Sequence, residues 1–121
     1  EGVAFAIRDS VEVAKSQGIR IDSSKICGGG SKSPLWRKIF ANVLGIPLQL
    51  LKTEQGPGYG GAMLAMVGCG LFESVQAASD ALVEVSATVN PEPDLTAKYE
   101  KRYRQFSLIY PALKGIFPEI Q

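Results

Sequence analysis

Ile26-Cys27-Gly28-Gly29-Gly30-Ser31-Lys32-Ser33-Pro34-Leu35-Trp36 is the stretch on which the fold turns. Lys25-Ile26-Cys27 reads as a short strand that runs straight into three consecutive glycines. Ser33 then suits a helix N-cap, because its hydroxyl can accept from a free first-turn amide, and Pro34 suits the first helical position, where no N–H is needed. The helix that follows carries Leu35, Ile39, Val43 and Leu44 on one face, widened by Trp36 and Phe40, and Gly45 ends it. Residues 46–51 form a second apolar strand. Strand, glycine turn, helix, strand is a βαβ unit, so the two strands are expected to be parallel.

Working outward, residues 1–18 place Val3, Ile7, Val11 and Ala14 at helical spacing with Ala4 beside them, and Gly18 closes that helix. Beyond the second strand, Gln55-Gly56-Pro57-Gly58-Tyr59-Gly60-Gly61 reads as another glycine-rich turn, opening into a closely packed helix over residues 62–67. Residues 73–82 suggest a further helix, capped near Phe72, and residues 83–89 an extended segment or edge strand. After the turn Asn90-Pro91-Glu92-Pro93, Asp94 is expected to cap a last helix bearing Leu95, Tyr99, Tyr103, Phe106, Tyr110 and Leu113, with Glu100 and Arg104 paired four residues apart. The aromatic stripe is a docking face. No repeat or internal break divides residues 1–121, which form one domain.

Composition narrows the function. Hydrophobic residues make up 45% and charged residues 21% of the 121 residues, the balance of a globular chain. Lys and Arg number 13 against 12 Asp and Glu, a net charge of +1 that argues against a nucleic-acid partner. The one dense basic stretch, Lys98, Lys101, Arg102 and Arg104, is expected to be a solvated helix face. With no histidine, imidazole is lost as general base and as metal ligand. Cys27 and Cys69 lie far apart in apolar surroundings and are expected to be buried, reduced thiols, as in a cytoplasmic protein. No apolar run approaches the ~20 residues of a membrane span. The chain opens at Glu1 inside a helical pattern, as an excised fragment does.

The glycine run is the strongest chemical signal. Glycines between strand and helix let the backbone approach a ligand without an intervening Cβ, and helix-start amides carry partial positive charge suited to phosphate. Ser31 and Ser33 add hydroxyls for a phosphate or a ribose. The stretch is neither G-x-x-x-x-G-K-[ST] nor G-x-G-x-x-G. A tight turn that merely joins strand to helix explains it equally well. The second cluster, residues 56–61, suits close packing, and it also leaves room for the opposite wall of the same pocket. Trp36 belongs to the core by spacing, while Arg37 and Lys38 are solvated. Asp9, Asp22, Asp80 and Asp94 fall in helices, a turn and a cap rather than at a strand end beside the loop, so no catalytic residue and no metal-ligating set is assigned.

Glu1-Gly2-Val3-Ala4-Phe5-Ala6, the stretch from Ile26 to Arg37, Glu54-Gln55-Gly56-Pro57-Gly58-Tyr59-Gly60-Gly61-Ala62 and the closing aromatic helix, in this order, resemble the C-terminal domain of the FGGY carbohydrate kinases. Within that family the chain is most similar to the branch that acts on xylulose. The resemblance implies an α/β fold, the C-terminal fragment of a ribonuclease-H-like (actin-like ATPase) domain with short parallel strands and flanking helices. It also implies binding of ATP or ADP with Mg2+ in the intact enzyme and phosphorylation of a ketopentose, D-xylulose. By position, Gly29 and Gly30 give backbone contact to the nucleotide and Gly28 and Ser31 shape the loop. Ser33 stands where relatives often place an asparagine at the adenosine.

The same resemblance puts the catalytic aspartate, the first phosphate loop and most of the sugar site before Glu1, so the fragment alone is expected to be inactive. It leaves strands missing from the sheet, and from those unpaired edges self-association is expected. Two rivals stand beside this reading: another sugar or polyol kinase of the family, for glycerol, gluconate or ribulose, and a non-catalytic interaction domain.

Overall fold

A computed structural model of the chain describes residues 1–53 and 56–120. Glu54 and Gln55, which belong to the second glycine-rich stretch, lie outside the described residues. In chain order the elements are α1 (Gly2–Ser16), β1 (Ser24–Ile26), a 3₁₀ turn (Gly29–Lys32), α2 (Pro34–Leu44), β2 (Leu48–Leu51), α3 (Gly56–Gly68), α4 (Val75–Leu82), β3 (Val85–Val89), α5 (Pro93–Phe106), α6 (Ile109–Leu113) and a second 3₁₀ turn (Phe117–Glu119). Among the described residues no helix is long and apolar enough to cross a membrane.

The expected βαβ unit is present. β1 and β2 run parallel with Ser24 opposite Leu48 and Ile26 opposite Leu50. β3 adds to the other edge of β2, antiparallel, with Leu48 opposite Val89 and a register shift between Leu50 and Leu51. The sheet order is therefore β1-β2-β3, which leaves the outer edge of β1 open among the described residues.

α2 sits at the centre, packed on β2, β3, α1, α5 and the first 3₁₀ turn. It begins as the residues dictate, with Ser33 extended and its hydroxyl accepting from the Trp36 amide at 3.4 Å. It ends at Gly45, left-handed at φ 67°, a conformation that costs glycine little. Two small cores result. Ala41, Leu44, Ile46 and Leu48 bind the helix to the sheet, and Ala4, Phe5 and Val43 bind α1 to α2. Phe5 also receives the aromatic stripe of α5, its ring 6.1 Å from Tyr99, 6.1 Å from Tyr103 and 5.4 Å from Phe106. The docking face expected from the sequence docks on α1.

Several local expectations are corrected. α1 is rotated from its apolar stripe: Ala4 and Phe5 are buried while Val3 and Ile7 stand exposed toward the open side of β1, because α1 must also meet α5. Arg8, off that stripe, is nonetheless only 13% exposed, lies 4.1 Å over the Tyr103 ring and bonds to Glu100. The stretch from Gly56 is helical from its first residue rather than a turn, and α3 buries none of its residues. An added Cβ at Gly56, Gly58, Gly60 or Gly61 would meet nothing within 4 Å, so close packing within this chain does not explain those glycines. Both thiols are exposed, Cys27 just past the open strand and Cys69 just past α3, a helix with no fully buried residue.

Other differences are smaller. α4 is capped by Ser74, whose hydroxyl accepts from Ala77 N–H at 3.1 Å. α5 starts at Pro93 with Glu92 before it, and Asp94 lies within the first turn. The last helix breaks after Phe106. Pro111 has no N–H to give and its ring would collide with the carbonyl of Ser107, so the chain restarts as α6, where Tyr110 and Leu113 are exposed.

Two measurements check this packing. Asn42 is 2% exposed, and its Oδ1 accepts the Glu92 amide at 2.6 Å, tying α2 to the start of α5. Asn42→Leu strands that amide and is expected to lower the unfolding free energy by about 1–3 kcal/mol, read from the urea midpoint. An unchanged midpoint would remove the tie. The Arg8 guanidinium first, then that of Arg104, holds the Glu100 carboxyl below its ordinary value of 4.5. A depressed folded value contributes stability above the unfolded pKa, and that contribution is lost as pH falls through the folded one. Glu100→Gln is expected to flatten the loss of stability below about pH 4.5; parallel acid limbs would contradict it.

Candidate functional site

The carboxyl ends of parallel strands are where a crossover leaves backbone exposed and where ligands gather in α/β sheets. Here β1 ends at Ile26 and β2 at Leu51. A groove of about 210 Å³ lies at this end, lined by Cys27 from the start of the glycine loop, Leu51 and Thr53 from the end of β2, and Gly56, Tyr59 and Gly60 of α3, with Met63 and Val83 behind. The second glycine-rich segment thus lies in the groove wall, whereas the first reaches the groove through Cys27, the residue before its glycines. The Tyr59 hydroxyl donates to the Leu82 carbonyl at 3.0 Å and pins α3 to the end of α4.

Within the loop the residues divide by role. Gly28 has φ 86° and ψ 176°, backbone that an L side chain rarely adopts. It lets the chain leave the strand direction in one step. Gly29 needs no such freedom, yet a Cβ there would point into open space. Gly30 is covered instead, since a Cβ on it would stand 2.9 Å from Cε3 of Trp36. The Trp36 indole, 42% exposed and 5.7 Å from the Phe40 ring, fills that side. Placed in the core by its spacing, Trp36 is in fact the cushion under the loop.

Ser31 is 1% exposed, and its hydroxyl donates to the Gly28 carbonyl at 2.7 Å, alongside its amide at 3.0 Å. Its side chain turns into the loop. The Ser33 amide donates to the Gly30 carbonyl at 3.2 Å and its hydroxyl caps α2. These bonds open the 3₁₀ turn at Ser31, so the amides of Gly29 and Gly30 precede its first bond, as helix-start donors do. Arg37, read as solvated, is half-buried and donates from Nε to the Ser31 carbonyl. No periodicity in the sequence signals that contact, because it joins a helix to the turn before it. Lys32 and Lys38 are exposed, the latter 3.3 Å from Glu92.

The chemistry this arrangement supports is binding of an anion-bearing, partly apolar ligand. Residues 27–34 carry hydroxyls, a lysine and no carboxylate, so no magnesium ligand is assigned to the loop. Among the described residues no group of three or more His, Cys, Asp or Glu side chains is placed to hold a metal ion. A second groove of about 350 Å³ opens on the other side of the loop. Gly30 and Ser31 of the loop line it, but most of its wall is apolar, from Val3, Ile7, Trp36 and Phe40 beside the open edge of β1. An exposed apolar lining of this kind suits contact with protein.

Comparison with known proteins agrees with this architecture. The chain is 28% identical over 120 residues to a xylulose kinase of Staphylococcus epidermidis, covering 99% of this chain and 24% of that protein. An autoinducer-2 kinase of Photorhabdus laumondii is 32% identical over 92 residues, 76% of this chain and 17% of the relative. The crystal structure of xylulose kinase from Rhodospirillum rubrum superposes with a TM-score of 0.73 at 32% identity, over 95% of this chain and 23% of that one. The chain thus spans about a quarter of the length of the curated relatives it matches first. Such neighbours have the actin-like ATPase fold, and the small sheet with its flanking helices is part of it. Residues 1–69 match the model of the FGGY family of carbohydrate kinases, C-terminal domain, and the chain belongs to that family.

Proposed function

We propose that residues 1–121 form the nucleotide-binding portion of an ATP-dependent sugar kinase and that the groove at the ends of β1 and β2 receives ATP or ADP. The observation that carries this is the bare Gly29 of a loop that leaves β1 through Cys27, a residue that shares the groove wall with Gly56 and Gly60. Phosphates are held by the amides of Gly29 and Gly30, whose N–H groups lie at the start of a helical turn where partial positive charge accumulates. Gly28 and Ser31 shape that turn. Ser33, already a helix cap, stands nearest the base or ribose through the outer face of its hydroxyl.

In the intact enzyme the γ-phosphoryl group passes from Mg-ATP to a sugar hydroxyl. Such transfer has a loose transition state, so the protein acts chiefly by positioning and by stabilising charge. This chain contributes the positioning of the nucleotide. The base that takes the sugar proton, the magnesium ligands and most of the sugar site are assigned to residues outside it, and the chain alone is inactive. The acceptor is a ketopentose, D-xylulose, in keeping with the xylulose kinases among the relatives; the autoinducer-2 kinase likeness supports a second reading with a different phosphate acceptor. The setting is cytoplasmic.

The open edge of β1 and the apolar groove beside it also make the isolated chain associate with itself, by strand pairing or by covering Val3, Ile7 and Trp36.

Three outcomes are expected. Gly29→Ala leaves the fold intact, since its Cβ enters open space, but weakens ADP binding at least about tenfold by calorimetry. Gly30→Ala instead displaces the indole, shifting Trp36 emission and lowering stability by about 1–3 kcal/mol. A Gly29→Ala chain that binds as the parent does, or a parent chain that binds no ADP at millimolar concentration, contradicts the nucleotide assignment and favours an interaction domain. In sedimentation the chain is expected to show oligomers that grow with concentration, and a monomer throughout would sink the association.

A further inference from the structure

We infer that Arg37 is a positioning residue of the glycine loop, acting through the Ser31 carbonyl rather than by contact with the nucleotide. The inference rests on the nucleotide reading above and adds a residue to it. Ser31 is the pivot of the loop, almost wholly buried, with its amide and its hydroxyl both directed to the Gly28 carbonyl. Those two bonds close the turn from one side. The Arg37 Nε closes it from the other, reaching back six residues from the first turns of α2 to the Ser31 carbonyl. The carbonyl orientation at Ser31 is thereby tied to a helix that is itself fixed on the sheet. The amides of Gly29 and Gly30 sit between these two ties, so their direction depends on both.

The placement of the charge supports the same role. A cation near the amino end of a helix meets the positive end of the helix dipole, so charge alone gives Arg37 no reason to be there. A carbonyl contact does give one. The atom used matters too. Nε is the fourth atom of the side chain from Cβ, and a glutamine places its amide nitrogen at that same point of the chain. A glutamine can therefore replace the donor without the charge, a lysine keeps the charge with no donor at that atom, and a methionine keeps neither.

The test uses the 121-residue chain with ADP as probe and Trp36, its one tryptophan, as reporter. R37M is expected to speed amide exchange at Ser31 and Ser33, whose amides donate within the loop, and to weaken ADP binding about tenfold, the size of one lost hydrogen bond. R37Q is expected to restore slow exchange and to recover affinity to within about threefold. R37Q as weak as R37M overturns the inference, and R37K binding like the parent in that case assigns Arg37 to the phosphates directly. R37M indistinguishable from the parent in both readouts also overturns it. Should R37M lose its helical circular dichroism, R37Q against R37K decides alone. Failure of the parent chain to bind ADP removes the nucleotide reading and this inference with it, whereas a parent that binds and an R37M that binds equally well removes only the inference.

Discussion

Everything in this chain depends on how the first turns of α2 seat on the glycine loop. α2 packs on β2, β3, α1, α5 and the preceding 3₁₀ turn, so an error in its direction would propagate to both cores. Three contacts set that direction within a few residues of one another. The Ser33 hydroxyl caps the helix, the Trp36 indole comes within 2.9 Å of where a Gly30 Cβ would stand, and Arg37 bonds to the Ser31 carbonyl. None is strong alone, since a net hydrogen bond contributes only about 1 kcal/mol. Their effect comes from acting on one rigid unit whose far end is anchored by Val43 and Leu44 in the cores.

The same seating separates two environments on either side of the loop. On one side Cys27, Leu51, Thr53 and the start of α3 enclose the groove proposed for the nucleotide, with Gly56 and Gly60 in its wall. On the other, Val3, Ile7, Phe40 and Leu48 line an apolar groove beside the unpaired edge of β1, which suits more protein. Glycine serves the two sides differently. Gly29 keeps one surface open, whereas Gly30 makes room for an indole. Three identical residues in a row thus have three physical reasons, the third being the left-handed backbone of Gly28.

Much of this was legible in the residues. Local rules carried the ends of α1 and α2, because a serine cap, a proline at the first position and a left-handed glycine act over four or five residues. The parallel pairing of β1 and β2 followed from the crossover, and the docking of Tyr99, Tyr103 and Phe106 from their spacing. What failed did so where a side chain answers to a distant partner. Arg37 looked solvated because its partner sits in a turn rather than on its own helix, and the contact of Arg8 with Tyr103 gave no local signal because the two lie far apart along the chain. Cys27, Cys69 and α3 looked buried because apolar character predicts burial only when something is present to cover it.

By itself, then, the sequence determined most of the elements, the parallel pairing of β1 and β2, the family and the loop at which a ligand is to be sought, since each rests on short-range geometry or on ordered motifs. The tertiary structure alone decided which glycine is bare, that Gly56 and Gly60 share a groove with Cys27, that Trp36 cushions the loop and that Arg37 bonds back to it. Those are facts of distance between residues whose separation along the chain says nothing about their separation in space. Burial and contact are properties of pairs, and a pair exists only once the chain has closed on itself.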